Sequence, residues 1–145
     1  MEKFHTQQVM EEIQKRILEN TPQFNELNFT TFYYRKLIKL LKEFDQLILF
    51  GAGRYGEIVR ATLQLESMKS VQCFCDNNSG TWGKIICGLE VLSPQDAFSR
   101  YPDACFVITP KDYENEILRQ LVHMGVTIDH ILIVNIKNTG MAIEI

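Results

Sequence analysis

Residues 47–56 read LILFGAGRYG, an unbroken apolar run that passes directly into a glycine-rich turn. The run Leu47–Phe50 has the short, continuous hydrophobicity of a parallel strand buried on both faces. Gly51, Gly53 and Gly56 follow it with the spacing G-x-G-x-x-G, and a helical pattern comes next. The order strand, glycine turn, helix therefore predicts the first unit of an α/β domain with a parallel sheet.

Further apolar segments along the chain alternate with helical patterns. Additional strands are predicted at Val71–Cys75, weakly near Glu90–Val91, at Ala104–Thr109 and at Ile131–Val134. Helices are predicted at Glu57–Met68, from Pro94 to about Arg100, and at Asp112–Met124. Such alternation predicts right-handed crossovers, and we expect a Rossmann-like sheet with strand order 3-2-1-4-5 and flanking helices.

A helical preface comes before this body. An amphipathic helix is predicted at Thr6–Glu19 and a second from about Asn28 to Phe44. The preface aromatics are expected to cover one face of the sheet rather than form an interface: Phe24, Phe29, Phe32, Tyr33 and Tyr34. We divide the chain into a helical segment, residues 1–45, packed on a Rossmann-like domain, residues 46–145, in one globular unit.

Composition narrows the range of partners and compartments. The chain has 145 residues and a net charge of −3, and an acidic balance argues against a nucleic-acid partner. The polar N-terminus is no secretory signal and no apolar run can span a bilayer, so a cytoplasmic location is expected. The four cysteines should be reduced. The C-x-C spacing of Cys73 and Cys75 fits buried side chains better than a zinc site, so no metal is expected.

The glycine turn has the features of a phosphate site. Gly51 would allow the tight turn, Gly53 would let the backbone approach a diphosphate, and Gly56 would permit close helix packing. Amides at the helix start, with the positive end of the dipole, attract anions. Asp76, about twenty residues further on, is placed to accept hydrogen bonds from ribose hydroxyls. The structural alternative is a glycine-rich turn that binds nothing.

Other residues at the carboxyl ends of the predicted strands complete the candidate site. Arg54 either reaches a phosphate or is an exposed surface arginine, and Tyr55 packs over the ligand or over the turn. The loop after the fourth strand, starting at Thr109, should face the same crevice, where Lys111 or Tyr113 would touch the ligand. The predicted binding residues are Gly51, Gly53, Arg54, Tyr55, Gly56, Asp76, Asn77 and Thr109. A carboxylate at Asp76 favours NAD over NADP.

The order of motifs carries a family resemblance. FGAGRYG at 50–56, FCDNN at 74–78, Gly83 and GLEVLSP at 88–94 follow one another. This order resembles the Rossmann-like domain of bacterial surface-polysaccharide enzymes, which precedes sugar acyltransferases, accompanies FkbM-type methyltransferases and glycosyltransferases, and begins nucleotide-sugar dehydratases. The resemblance covers about Gln46–Val134. It implies that Asp76, with Asn77, contacts the base or ribose of a uridine diphosphate sugar, or the adenosine ribose of a dinucleotide.

Three functions remain open at this point. The favoured one is a binding module for NAD or a nucleoside diphosphate sugar, a fragment or partner of a transferase or other sugar-modifying enzyme. The second is a small dimeric NAD-dependent oxidoreductase or epimerase-like enzyme, and the third is a ligand-free domain that forms a homodimer. No catalytic residue is predicted, because His123 is typical of a helix surface and no serine or cysteine lies beside a base.

Overall fold

The structure, a computed structural model, describes residues 35–110 and 112–134. Six strands form one sheet: β1 Leu47–Phe50, β2 Val71–Cys75, β3 Ile85–Ile86, β4 Leu89–Leu92, β5 Cys105–Ile108 and β6 Ile131–Ile133. The helices are α1, described over residues 35–41, α2 Arg54–Leu65, α3 Pro94–Arg100 and α4 Glu114–Met124. Short 3-10 turns lie at Ser79–Thr81 and Ile128–His130.

The strand order is β3-β4-β2-β1-β5-β6, and every pairing except that of β3 with β4 is parallel. The predicted order 3-2-1-4-5 is therefore confirmed, with β4 as the weak third strand. The sequence did not predict β3, which pairs antiparallel to β4 through a tight turn. Both turn residues, Cys87 and Gly88, have positive φ values of 50° and 80°, as hairpin turns of this length require.

The central strand β1 is buried on both faces, as its apolar run predicts. Leu47 and Leu49 pack in the cluster that contains residues of α1 and α2. Ile48 and Phe50 pack in the opposite cluster, which contains residues of α3 and α4. Because side chains alternate across a strand, one four-residue segment contributes to both cores.

The helix after the glycine turn begins and ends earlier than predicted. It starts at Arg54, so Gly56 lies in its first turn. It ends at Leu65 rather than Met68, because Ser67 adopts a positive φ of 58° and the chain then turns back into the core. Helices α3 and α4 have well-defined caps at one end. The Ser93 hydroxyl accepts a hydrogen bond from the Asp96 amide (3.1 Å), and Gly125 ends α4 at φ 102°.

The first described helix packs on the sheet. Leu37, Ile38 and Leu41 of α1 are buried in the same cluster as α2. The predicted helix Thr6–Glu19 and the preface aromatics lie outside the described residues. The division of the chain at residue 45 therefore stays a prediction.

Candidate functional site

A cleft of about 710 Å³ lies at the carboxyl ends of β1, β2 and β5. β1 leads into α2 and its neighbour β5 leads into α4, and these two helices pack on opposite faces of the sheet. The chain therefore leaves a crevice there, as open α/β sheets do at a topological switch point. The volume is within the range of small-molecule sites. Its lining is Phe50, Gly51, Gly53, Arg54, Tyr55, Gly56, Asp76, Asn77, Asn78, Thr109, Pro110, Tyr113, Glu116, Ile117 and Gln120.

The three glycines of the turn have three different surroundings. Gly51 has a φ of +111°, and a Cβ there would come within 2.6 Å of the Thr109 hydroxyl oxygen. A Cβ on Gly56 would overlap the Gly51 carbonyl oxygen, so α2 packs closely on the turn. A Cβ on Gly53 would meet nothing within 4 Å, although Gly53 lines the cleft. Gly53 thus presents bare backbone to open space.

The start of α2 has the electrostatics of an anion site. Gly53 is its N-cap residue, and the Gly53 carbonyl accepts the first helical bond from the Glu57 amide at 3.0 Å. The first-turn amides of a helix have no partners within the helix, and the dipole adds a partial positive charge there. Arg54 is exposed at this same end and lines the cleft. The arrangement suits a phosphate group.

The acid at the end of β2 contacts the glycine turn directly. Asp76 Oδ2 accepts a hydrogen bond from the Ala52 amide at 2.8 Å, and Oδ1 accepts one from the Asn78 amide at 2.8 Å. The Asp76 main-chain oxygen accepts a third from the Trp82 indole Nε1 at 2.7 Å. The carboxylate that the sequence assigned to ribose therefore also bonds the backbone of the turn.

A pair of amide side chains joins two walls of the cleft. Asn77 Nδ2 donates to Gln120 Oε1 and Gln120 Nε2 donates to Asn77 Oδ1, each at 2.8 Å. Asn77 follows β2, whereas Gln120 lies on α4 one turn after Glu116 and Ile117. The residues after β2 and the cleft-facing side of α4 are thereby held together.

Thr109 and Tyr55 line the cleft but also make contacts within the protein. The Thr109 hydroxyl is buried, donates to the Phe50 carbonyl at 2.9 Å and lies 3.4 Å from the Gly51 oxygen. It therefore fixes the point at which β1 becomes the glycine turn. Tyr55 is half-buried and packs against the α2 side of the core.

All eight residues predicted from the sequence line this one cleft. Tyr113 also lines it, and Lys111 lies outside the described residues. Pro110 lies in the loop that was expected to face the crevice, whereas the sequence reasoning missed Phe50, Asn78, Glu116, Ile117 and Gln120. The spacing on the helix after β5 was the available signal, because Gln120 follows Glu116 by four residues and Ile117 by three, and residues at these spacings share a helix face.

Three of the four cysteines are buried thiols, as expected for Cys73 and Cys75. Burial raises the pKa of Cys73 to about 12 and holds those of Cys75 and Cys105 well above their ordinary value. Cys87 is exposed, in the turn between β3 and β4, and desolvation followed by the nearby Glu57 carboxylate raises its pKa. Over residues 35–110 and 112–134, no cluster of three or more His, Cys, Asp or Glu side chains has a metal-binding arrangement.

Solved structures with the same fold include that of RSP, a Rex-family repressor. The crystal structure of RSP is 20% identical to the chain with a TM-score of 0.52, covering 73% of this chain and 61% of RSP. The structure of RSP in complex with β-NADH is 20% identical to the chain with a TM-score of 0.50, and the match covers 73% of this chain and 62% of RSP. The structure of RSP in complex with β-NAD⁺ and operator DNA is 21% identical with a TM-score of 0.49, and the match covers 70% of this chain and 56% of RSP. The chain thus spans about three fifths of the length of RSP, and the likeness shows a Rossmann-like fold.

The expectation that excluded nucleic acid as a partner is overturned. The fold is shared with RSP, which is a Rex-family repressor. The expectation rested on a net charge of −3. A sum over the whole chain does not report where basic side chains gather, and one fold serves many partners.

No curated protein matches the chain. Within the described residues, no helix has the length and apolar character needed to cross a membrane. One family model matches residues 43–132, which contain the sheet from β1 into β6 and all eight predicted binding residues. The chain belongs to this family, described as C2185-like, N-terminal.

Proposed function

We propose that this chain is a nucleotide-binding module whose ligand is NAD in its oxidised or reduced form. The observation that carries the proposal is the bare backbone of Gly53, at the start of α2, inside a cleft that also contains Asp76. A diphosphate fits there because its charge meets the helix start and no Cβ blocks its approach.

The rest of the ligand would follow the cleft lining. Each Asp76 oxygen accepts one amide, which leaves lone pairs for the ribose hydroxyls. The base would lie beyond the ribose, against the apolar side chain of Ile117 and the amide pair of Asn77 and Gln120. This assignment of Gly51, Gly53, Arg54, Tyr55, Gly56, Asp76, Asn77 and Thr109 to ligand binding is part of the proposal.

Two carboxylates favour NAD over its 2′-phosphorylated form. Asp76 and Glu116 both line the cleft, and a 2′-phosphate on the adenosine ribose would add like charge beside them. The complex of RSP with β-NADH supports a nicotinamide dinucleotide as the first ligand to test. A nucleoside diphosphate sugar is the second candidate, because it offers the same diphosphate and ribose to Gly53 and Asp76.

The finer expectations from the sequence stay predictions. They are the association with polysaccharide enzymes, which none of the comparisons supports, the cytoplasmic location, the homodimer, and the alternative of a small oxidoreductase or epimerase-like enzyme. Among the described residues the cleft lining contains no histidine and no cysteine. Binding is therefore the activity to measure first.

A thermal-shift panel tests the proposal. The panel contains NADH, NAD⁺, NADP⁺, uridine diphosphate, a uridine diphosphate sugar and cytidine diphosphate. A ligand that binds only the folded state raises the melting temperature. We expect the largest rise with NADH or NAD⁺ and a smaller one with NADP⁺. No rise with any of the six at millimolar concentration contradicts nucleotide binding, and a rise with the uridine compounds alone selects the second candidate.

A further inference from the structure

We propose that Asp76 is a positioning residue for the glycine turn Gly51–Gly53, and that recognition of phosphate as well as ribose depends on its carboxylate. The proposal starts from the 2.8 Å hydrogen bond between the Ala52 amide and Asp76 Oδ2. Its part about phosphate rests on the proposed function. Its part about the turn concerns the protein without ligand.

The bond acts at the point where the turn enters α2. Ala52 is 8% exposed and directly precedes Gly53, the N-cap residue of the helix. The first half of the turn is fixed elsewhere, because the Gly51 amide donates to the Cys75 carbonyl at 2.8 Å and the Thr109 hydroxyl holds the Phe50 carbonyl. Asp76 therefore orients the Ala52 amide, and with it the adjacent residue, Gly53.

Asp76 is itself held rigidly. Its amide donates to the Leu92 carbonyl at 3.1 Å, and its main-chain oxygen accepts the Trp82 indole hydrogen bond. The second carboxylate oxygen is bonded to the Asn78 amide. A carboxylate fixed on both oxygens keeps one orientation, so it can hold the turn in one conformation before a ligand arrives. Preorganised amides lose less conformational entropy on binding than amides that must first be ordered.

The direction in which phosphate affinity changes when the Asp76 charge is removed separates a positioning role from simple charge repulsion. A phosphate and the Asp76 carboxylate carry like charges, so removing the carboxylate charge should strengthen phosphate binding if the charge acts alone. If the carboxylate positions the turn, its removal weakens phosphate binding. Asp76→Asn is the informative variant, because asparagine has the same shape but supplies an NH2 group in place of one acceptor. One of the two bonded amides then faces a donor.

Calorimetric titration with two probes measures the direction of this change in affinity. Inorganic pyrophosphate carries no ribose, and ADP-ribose carries both groups. We expect Asp76→Asn to lose about 10- to 100-fold in pyrophosphate affinity, the range typical of a hydrogen bond to a charged group. Asp103→Asn is the matched control, since it removes the same charge from an exposed position outside the cleft and should leave both affinities unchanged. Equal or tighter pyrophosphate binding by Asp76→Asn overturns the proposal.

A readout without ligand keeps the two proposals distinguishable. In wild type, hydrogen exchange of the Ala52 amide should be slow. In Asp76→Ala, whose side chain supplies no acceptor, it should be faster by at least about tenfold while amides in β1 keep their protection. An unchanged Ala52 exchange rate overturns the positioning role. If wild type binds neither probe, the proposed function fails, and Ala52 exchange still decides whether Asp76 holds the turn. Asp76→Ser, whose side chain is too short to bond both amides, replaces Asp76→Asn should the latter not fold.

Discussion

Gly56 in the first turn of α2 lies against the carbonyl group of Gly51, so closely that a Cβ at position 56 would overlap the Gly51 oxygen. This contact joins the helix start to the turn that leaves β1. It gives Gly56 a steric role in folding, whereas Gly53, three residues earlier, has open space around it. The two glycines of one motif should therefore respond differently to the same substitution.

Gly56→Ala is expected to destabilise the protein. The added methyl group must push α2 away from the turn, and overpacking of this kind costs roughly 1–3 kcal/mol. Urea unfolding measures the loss. Gly53→Ala is the matched control, because its new Cβ meets nothing within 4 Å. Equal unfolding midpoints for the two variants would contradict the contact.

Gly53→Leu is expected to separate binding from folding. The leucine side chain would fill the space that we assign to the diphosphate, so nucleotide affinity should fall by more than about tenfold, comparable to the loss of a charge-assisted bond. The stability cost should stay near 1 kcal/mol, that of a poorer N-cap residue. Ala61→Leu, at an exposed position of α2, is the control and should retain binding. Full affinity in Gly53→Leu would place the diphosphate elsewhere.

Thiol labelling should distinguish Cys87 from the other cysteines. Cys87 is exposed, whereas Cys73, Cys75 and Cys105 are buried in the sheet. A disulfide-exchange reagent should therefore label one of the four thiols in the native protein and all four in denaturant. The reaction should accelerate with rising pH, since the pKa of Cys87 is raised and only the thiolate reacts. Rapid native labelling of more than one thiol would contradict the burial of the others.

The buried thiols predict that stability falls at high pH. In the unfolded chain these groups ionise near their ordinary pKa of 9.0, whereas burial raises the pKa of Cys73 to about 12 and that of Cys75 well above 9.0. Between these values the unfolded state binds fewer protons, so the free energy of unfolding decreases as pH rises. Urea titrations from pH 8 upward, at roughly one-unit steps, measure the decline. Cys73→Ala should make it less steep, and an unchanged slope would contradict the assignment.

The sequence predicted the parts of the fold and the site that depend on local pattern. The apolar run before Gly51 and the glycine spacing were sufficient to place β1, the turn and Asp76 at one edge of the sheet. β3 was not predictable in this way, because a two-residue strand is too short to show a period. Helix ends were also uncertain, and the end of α2 at Leu65 depends on the backbone of Ser67.

The cleft residues that the sequence did not predict were missed for a different reason. Gln120 meets Asn77 across 43 positions of sequence, and the contact exists only because β5 lies beside β1 and directs α4 over the crevice. The hydrogen bonds of the Asp76 carboxylate were likewise hidden, since the motif identifies the acid but not the amides that reach it. Tertiary contacts, rather than residue type, decide these roles.

The most direct test of the account is an equilibrium titration of the chain with NADH, followed by the emission of its single tryptophan. Trp82 donates its indole hydrogen to the main chain of Asp76, so it reports on the residue next to the proposed ribose. We predict a saturable change in emission with one NADH bound per chain, and no such change in Gly53→Leu. A wild-type emission that changes no more than that of Gly53→Leu, with calorimetry detecting no binding, would contradict the account.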